Sequence, residues 1–341
     1  MRTPFVGCAW ILFVGSVVLA CSEEASDPPA SGSGGLSSAT GGASGGGGLS
    51  TAAGGASTAV GGMGGGSTTG GSNAGSENRG GASAGTGNAG SSSGGAENSN
   101  GCGKSGAATG VLSSEQIEIE GAARSYVLSI PTDYQADRAY PLVFAWHGLG
   151  GSGSGARGYF RIEQQGKGNA LFVYPDGLPN DDGNPAWDLA VEGVDMALFD
   201  ELVTKIGASH CVDRSRVFST GHSFGGFFTE RLGCSRGQAL RAIAPVAGGP
   251  PFGGMTNCTT SVAAWITHGS NDETVDFETG EAGRDLWLEA NGCRMTTTMT
   301  APEPCVAYDG CQEPVHWCVH EDGHNWPSFA GAAIWSFFSS L

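Results

Sequence analysis

Basic residues are scarce in this chain. Its 341 residues carry 16 Lys and Arg against 33 Asp and Glu, a formal net charge of −17. A surface that holds nucleic acid or an anionic headgroup layer needs clustered positive charge, so this balance argues against both and favours neutral substrates over polyanions. The deficit extends into Cys102–Leu341, which has 28 acids and 14 bases. Aromatic residues are missing altogether from Gly32 to Gly101, a stretch that instead holds 27 of the 61 glycines. Such a segment of Gly, Ser, Ala, Thr and Asn buries too little apolar surface to offset the entropy of ordering its backbone, so a disordered linker is expected over residues 21–101. It has no Gly-X-Y period, which excludes collagen. No Cys-x-x-Cys pair occurs, and the cysteines lack histidines at zinc-ligand spacing, so no metal site is expected.

Long apolar runs are also few. The longest, Phe5–Leu19 behind the single charge of Arg2, falls short of the about 20 residues that a spanning helix needs and reads as an export signal over residues 1–20. Its end, Val18-Leu19-Ala20-Cys21, resembles a bacterial lipobox, which makes Cys21 a candidate for lipidation and the linker a tether with a reach of roughly 45–50 Å. The chain is then expected outside the cell, anchored at the surface or outer membrane only through that lipid, and monomeric. Beyond Cys8 and Cys21 stand eight cysteines, an even number that in an exported chain argues for up to four disulfides. Their about one hundred connectivities stay open.

Over Cys102–Leu341, β-rich runs alternate with helical ones, the pattern of a largely parallel sheet covered on both faces. Glu115–Glu120 and Arg124–Ile130 read as paired strands about a turn at Gly121. Pro141–Trp146 and Ala170–Tyr174 are continuous apolar runs suited to strands buried on both sides. Further strands are expected at Arg216–Thr220, Ala242–Val246, Ala263–Thr267 and Val315–His320. Helices are expected at Asp195–Ile206 with Asp195 as cap, Gly225–Ser235, Gly283–Ala290 and Phe329–Phe338.

The strongest motif is Gly221-His222-Ser223-Phe224-Gly225, a G-x-S-x-G between a predicted strand and a predicted helix. That context puts Ser223 on a sharp turn with its oxygen exposed, beside backbone N–H groups at the helix start. A serine hydroxyl needs a base to remove its proton, and the imidazole base needs a carboxylate to set its tautomer. The order Ser, acid, His selects Asp272, in the loop after the strand Ala263–Thr267, with Glu273 and Asp276 as rivals. His324, in Asp322-Gly323-His324 between the last strand and last helix, is the candidate base. His316 and His320 read as strand residues, His268 as a satisfied strand-end residue, and His147 as without a chemical role. The loop Trp146-His147-Gly148-Leu149-Gly150-Gly151 after an early strand offers the N–H of Leu149 as a second oxyanion donor beside that of Phe224.

Taken in order, WHGLGGSGSG, VYPDG, CVDxSRV, GHSFGG, RAIAPVAG, THGSNDxxV and DGHNWP resemble the extracellular feruloyl esterase and polyhydroxybutyrate-depolymerase-like family of α/β-hydrolases. The resemblance runs from near Tyr126 to the end. Phe227 stands where that family usually has methionine. The resemblance implies an α/β-hydrolase fold, Ser223, Asp272 and His324 as nucleophile, acid and base, and no metal or organic cofactor. It also implies cleavage of carboxylic esters, often hydroxycinnamoyl or acetyl groups on plant polysaccharide. Trp187, in an acidic loop, matches a tryptophan-bearing segment of the family. An exposed indole there would stack on an aromatic acid or a sugar, whereas a buried one would only pack the loop. Two other readings stand beside the esterase: a polyhydroxyalkanoate depolymerase using the same triad, and a non-catalytic polysaccharide-binding protein.

Overall fold

The computed structural model describes residues 98–250, 258 and 260–341. The export signal, Cys21 and the linker as far as residue 97 lie outside the described residues. The linker expected to reach Gly101 ends earlier. Ser99 is buried, its hydroxyl donating to the carbonyl of His210 (2.8 Å) and accepting from the N–H of Val212 (2.9 Å). A disulfide from Cys102 to Cys211 fastens the same segment. These partners stand about a hundred residues away, so composition gives no sign of them.

The chain then builds β1 (Gly110–Ile119) and β2 (Ala122–Ile130), β3 (Tyr140–Trp146), α1 (Gly153–Phe160) and α2 (Ile162–Gly166). Next come β4 (Leu171–Pro175), a small hairpin of β5 (Leu178–Pro179) and β6 (Pro185–Ala186), α3 (Val194–Ser209), β7 (Val212–His222) and α4 (Phe224–Arg236). The remainder is β8 (Ala242–Val246), β9 (Ala263–Gly269), α5 (Phe277–Ala290), β10 (Thr297–Met299), β11 (Val306–Tyr308), β12 (Val315–His320) and α6 (Ala330–Ser339). Ten strands form one sheet in the order β1-β2-β4-β3-β7-β8-β9-β12-β11-β10. Its centre, from β4 to β12, is parallel, and the pairs at either flank are antiparallel. This is the α/β-hydrolase layout.

Strand β3 shows why the apolar runs are continuous. Leu142, Phe144 and Trp146 share one cluster with Phe199 of α3 and Phe228 of α4, while Val143 and Ala145 share another with Phe160 of α1 and Phe337 of α6. Successive side chains thus enter opposite layers, and a strand covered twice has no polar face.

Asp195 does not cap α3. Gly193 holds the cap position, and Asp195 lies buried in the first turn, 2.6 Å from the buried guanidinium of Arg124 on β2. A buried arginine needs a counter-charge, and that requirement decides the place of Asp195. The helices α1 and α2 and the strands β10 and β11 had no sequence signal: α1 is glycine-rich, and three-residue strands are too short for a period. Four disulfides pair Cys102–Cys211, Cys234–Cys258, Cys293–Cys311 and Cys305–Cys318.

Candidate active site

Ser223 sits alone between β7 and α4 with φ 56° and ψ −121°, a left-handed conformation that a side chain rarely adopts. Hydrogen bonds hold it there. Its N–H donates to the carbonyl of Val246 (2.9 Å), and its carbonyl accepts from Gly226 (2.8 Å) and Phe227 (3.0 Å). The flanking glycines are a matter of contact distance. A Cβ on Gly221 would lie 2.2 Å from the carbonyl oxygen of Gly225, and one on Gly225 would lie 2.1 Å from that of Trp146.

The parallel strands β7, β8, β9 and β12 end on the same edge, which brings two further loops to this turn. Asp272, three residues beyond β9, is buried. One carboxylate oxygen accepts from the N–H groups of Thr274 and Val275, both at 2.9 Å. The other lies 2.7 Å from Nδ1 of His324, beyond β12. Burial alone would push this carboxyl up, but the Val275 N–H, the His324 bond and the Thr274 N–H together hold it below its ordinary range. Because a carboxylate only accepts, the proton of the His324 ring belongs on Nδ1, which leaves Nε2 with a lone pair. The rivals stay outside this pair: Glu273 and Asp276 are exposed, and Asp276 is the cap residue of α5. His268 donates from Nε2 to the carbonyl of Val275 (2.9 Å) and braces the Asp272 loop. His316 packs on Phe337, and His320 faces Phe329.

The loop after β3 closes the third side. A Cβ on Gly148 would lie 3.3 Å from the Cβ of Ser223, so this loop runs directly beside the serine. Among the described residues no backbone carbonyl takes the N–H of Leu149 or of Phe224. His147, to which the sequence assigned nothing, fixes the loop. Its Nδ1 donates to the carbonyl of Gly148 (2.7 Å), its Nε2 accepts from the N–H of Gly177 (2.9 Å), and burial lowers its pKa, which keeps it neutral.

Trp187 is not the exposed indole that ligand stacking requires. It is 4% exposed, donates from its indole nitrogen to the carbonyl of His147 (2.8 Å) and packs on Trp146 and Phe228. Its part is to hold the loop, since an amphipathic ring with an internal acceptor gains more from burial than from water.

Two neighbours of the site escaped sequence reasoning. The buried ring of His222 stands 4.9 Å from that of His324, and burial, followed by the charge of His324, pushes it down to about 3. It is therefore a neutral wall against the His324 imidazole. Tyr159 of α1 meets His222 edge-on at 5.7 Å, and its hydroxyl accepts the backbone N–H of Trp326 at 2.7 Å. Trp326 in turn stacks on Phe160 at 4.0 Å. The only signal for His222 was its place before Ser223; Tyr159 had none.

No protein-family model matches the chain. It is 31% identical over 259 residues to a probable feruloyl esterase C of Aspergillus niger, a match covering 71% of this chain and 91% of that protein. It is also 31% identical over 269 residues to feruloyl esterase D of Neurospora crassa, covering 71% and 90%. The chain belongs to the feruloyl esterase family. Like others of the feruloyl esterase family it is a carboxylic-ester hydrolase. Among solved structures, an acetyl xylan esterase from Aspergillus awamori matches with a TM-score of 0.56 at 17% identity, covering 67% of this chain and all of that one. That likeness concerns the fold. It agrees with the α/β-hydrolase fold described above.

Proposed function

We propose that this member of the feruloyl esterase family hydrolyses feruloyl or acetyl esters on plant cell-wall polysaccharide through Ser223, His324 and Asp272. The observation that carries the mechanism is the 2.7 Å bond from His324 Nδ1 to Asp272, which frees Nε2 on an edge shared with the serine turn. His324 takes the Ser223 proton as the oxygen attacks the ester carbonyl. The N–H groups of Phe224 and Leu149 hold the oxyanion, a contact in which one donor is typically worth about 3–4 kcal/mol. The C–O bond to the alcohol breaks as His324 returns the proton to the leaving oxygen. Water, deprotonated by His324, then attacks the acyl carbonyl, and Ser223 leaves with its proton restored. The fungal relatives' names support the hydroxycinnamoyl acyl group.

The test is labelling with an organophosphonate followed by peptide mapping, together with release of ferulate from arabinoxylan and acetate from acetylated xylan. Label on Ser223 and cleavage lost in Ser223→Ala support the reading. Unchanged hydrolysis in that variant sinks it, and clearing of a polyhydroxybutyrate suspension without release of ferulate or acetate would move the substrate to polyesters. We also propose that the enzyme is exported and held at the cell surface by a lipid on Cys21, with residues 21–97 as tether. Release of the protein into the medium by Cys21→Ala, with activity retained, checks this.

A further inference from the structure

Between α1, α2 and the start of α6 lies a cavity of about 440 Å³, within the roughly 300–1,000 Å³ typical of small-ligand sites. It shares a wall with the ester-cleaving groups. Tyr159 lines it while meeting His222, the residue before Ser223, and holding the backbone of Trp326, two residues after His324.

Its other lining side chains include Arg161, Gln164, Gln165 and Ser328. Arg161, Gln164 and Ser328 are exposed and Gln165 is half-buried, and among the described residues none of these four side chains has a hydrogen-bond or ion-pair partner within the protein. Among the described residues Arg124, Arg157, Arg216, Arg236, Arg241 and Arg284 pair with carboxylates, whereas Arg161, like Arg138, Arg214, Arg231 and Arg294, does not. No Asp or Glu lines this cavity, although Cys102–Leu341 holds twice as many acids as bases. Arg161 also carries the corner: at φ 52° it ends α1 and starts α2 in a left-handed conformation that other residue types than glycine rarely take.

Two amides, a hydroxyl and a guanidinium beside a tyrosine ring supply many unspent donors, a few acceptors and one flat apolar surface. Adjacent ring hydroxyls, each both donor and acceptor, answer that inventory. A flat hydroxycinnamoyl group, with few polar atoms, would engage little of it. We infer that this cavity binds a neutral sugar residue on the alcohol side of the ester, next to the sugar that carries the acyl group. The inference rests on the polysaccharide-ester reading above.

The test compares the full-length wild type with the double variant Gln164→Ala/Gln165→Ala on two pairs: methyl ferulate against feruloylated arabinoxylan oligosaccharide, and 4-nitrophenyl acetate against acetylated xylo-oligosaccharide. For whichever acyl group the wild type cleaves, the ratio of kcat/KM on the sugar-linked ester to that on the small ester should fall about five- to tenfold, through KM, as expected for losing one or two hydrogen bonds. An unchanged ratio overturns the inference and leaves the esterase reading standing. A wild type that cleaves small esters but no sugar-linked ester overturns both. A measurement on the unaltered chain guards against a misfolded variant: an ester-free xylo-oligosaccharide should inhibit cleavage of the sugar-linked ester competitively, and absence of inhibition at millimolar concentration also counts against the cavity.

Discussion

The edge of the sheet where β7, β9 and β12 end is held by different forces from the flank formed by β10 and β11. At the edge, backbones touch at Gly221 and Gly225, and the Asp272 carboxylate accepts two N–H groups and the His324 ring. At the flank, β10 is exposed along its whole length, β11 is half-buried, and Met295 and Met299 face solvent. Apolar burial there is thin, and the disulfides Cys293–Cys311 and Cys305–Cys318 close short loops around it. Covalent staples serve where little surface is buried. Hydrogen bonds and close backbone contact serve where reacting atoms must be placed. Stability and activity should therefore respond separately to changes in the two regions.

The largest separation is expected from Asp272→Asn. The amide still offers an oxygen to Thr274 and Val275, so the loop stays in place, but His324 loses the acceptor that sets its tautomer. We expect kcat to fall on the order of 10⁴-fold, with the urea unfolding midpoint nearly unchanged. A loss of less than tenfold in steady-state assays would break the comparison.

Gly225→Ala probes the edge from the opposite direction. Its Cβ would meet the carbonyl oxygen of Trp146 at 2.1 Å, so either the serine turn or β3 must shift. About 4 kcal/mol or more of stability should be lost, along with activity, in contrast to the chemical substitution. Denaturant titration beside the ester assay reads both.

At the flank, Cys293→Ala/Cys311→Ala opens a loop of separation 18. Chemical denaturation should show a loss of about 2–4 kcal/mol, while kcat/KM on methyl ferulate stays within about twofold. A fall in activity as large as that in Asp272→Asn would show that the two regions are coupled.

The last effect is one of slope and concerns the buried carboxyl of Glu230, where burial outweighs the hydrogen bond from the Trp287 indole and pushes it up to about 8. The unfolded chain releases this proton near the ordinary glutamate value, but the folded chain keeps it until about pH 8. Its contribution to stability is thus complete below the ordinary value and is lost as pH rises toward about 8. Glu230→Gln should remove this part of the slope, so that the variant gains on the wild type between pH 5 and pH 8 in parallel unfolding titrations. Equal slopes for both proteins would refute the assignment.

Much of the fold was legible because its physics is local. Runs such as Pro141–Trp146 have no polar member, and only a doubly covered strand tolerates that. The serine turn was legible because the glycines around Ser223 answer a contact problem between residues four apart. Asp272 and His324 followed from chain order, and the carboxylate that the structure pairs with His324 is the one that order favoured. Asp195 was misplaced because a capping preference is weaker than the demand of a buried guanidinium from another strand. Trp187 as a stacking platform failed for a related reason: the acidic residues around it in sequence do not reveal that its ring lies on Trp146 and Phe228.

By itself the sequence determined the alternation of buried strands and amphipathic helices, the acidic surface, the strained serine turn and the order of the groups around it. These depend on residue type and near neighbours. Only the tertiary structure decided which cysteines pair, that Ser99 belongs to the folded part, that His147 and His222 are neutral supports, and that Tyr159 joins the site to a polar cavity. Each of these is a distance between residues far apart in the chain, and such distances exist only once the sheet has brought its strand ends to one edge.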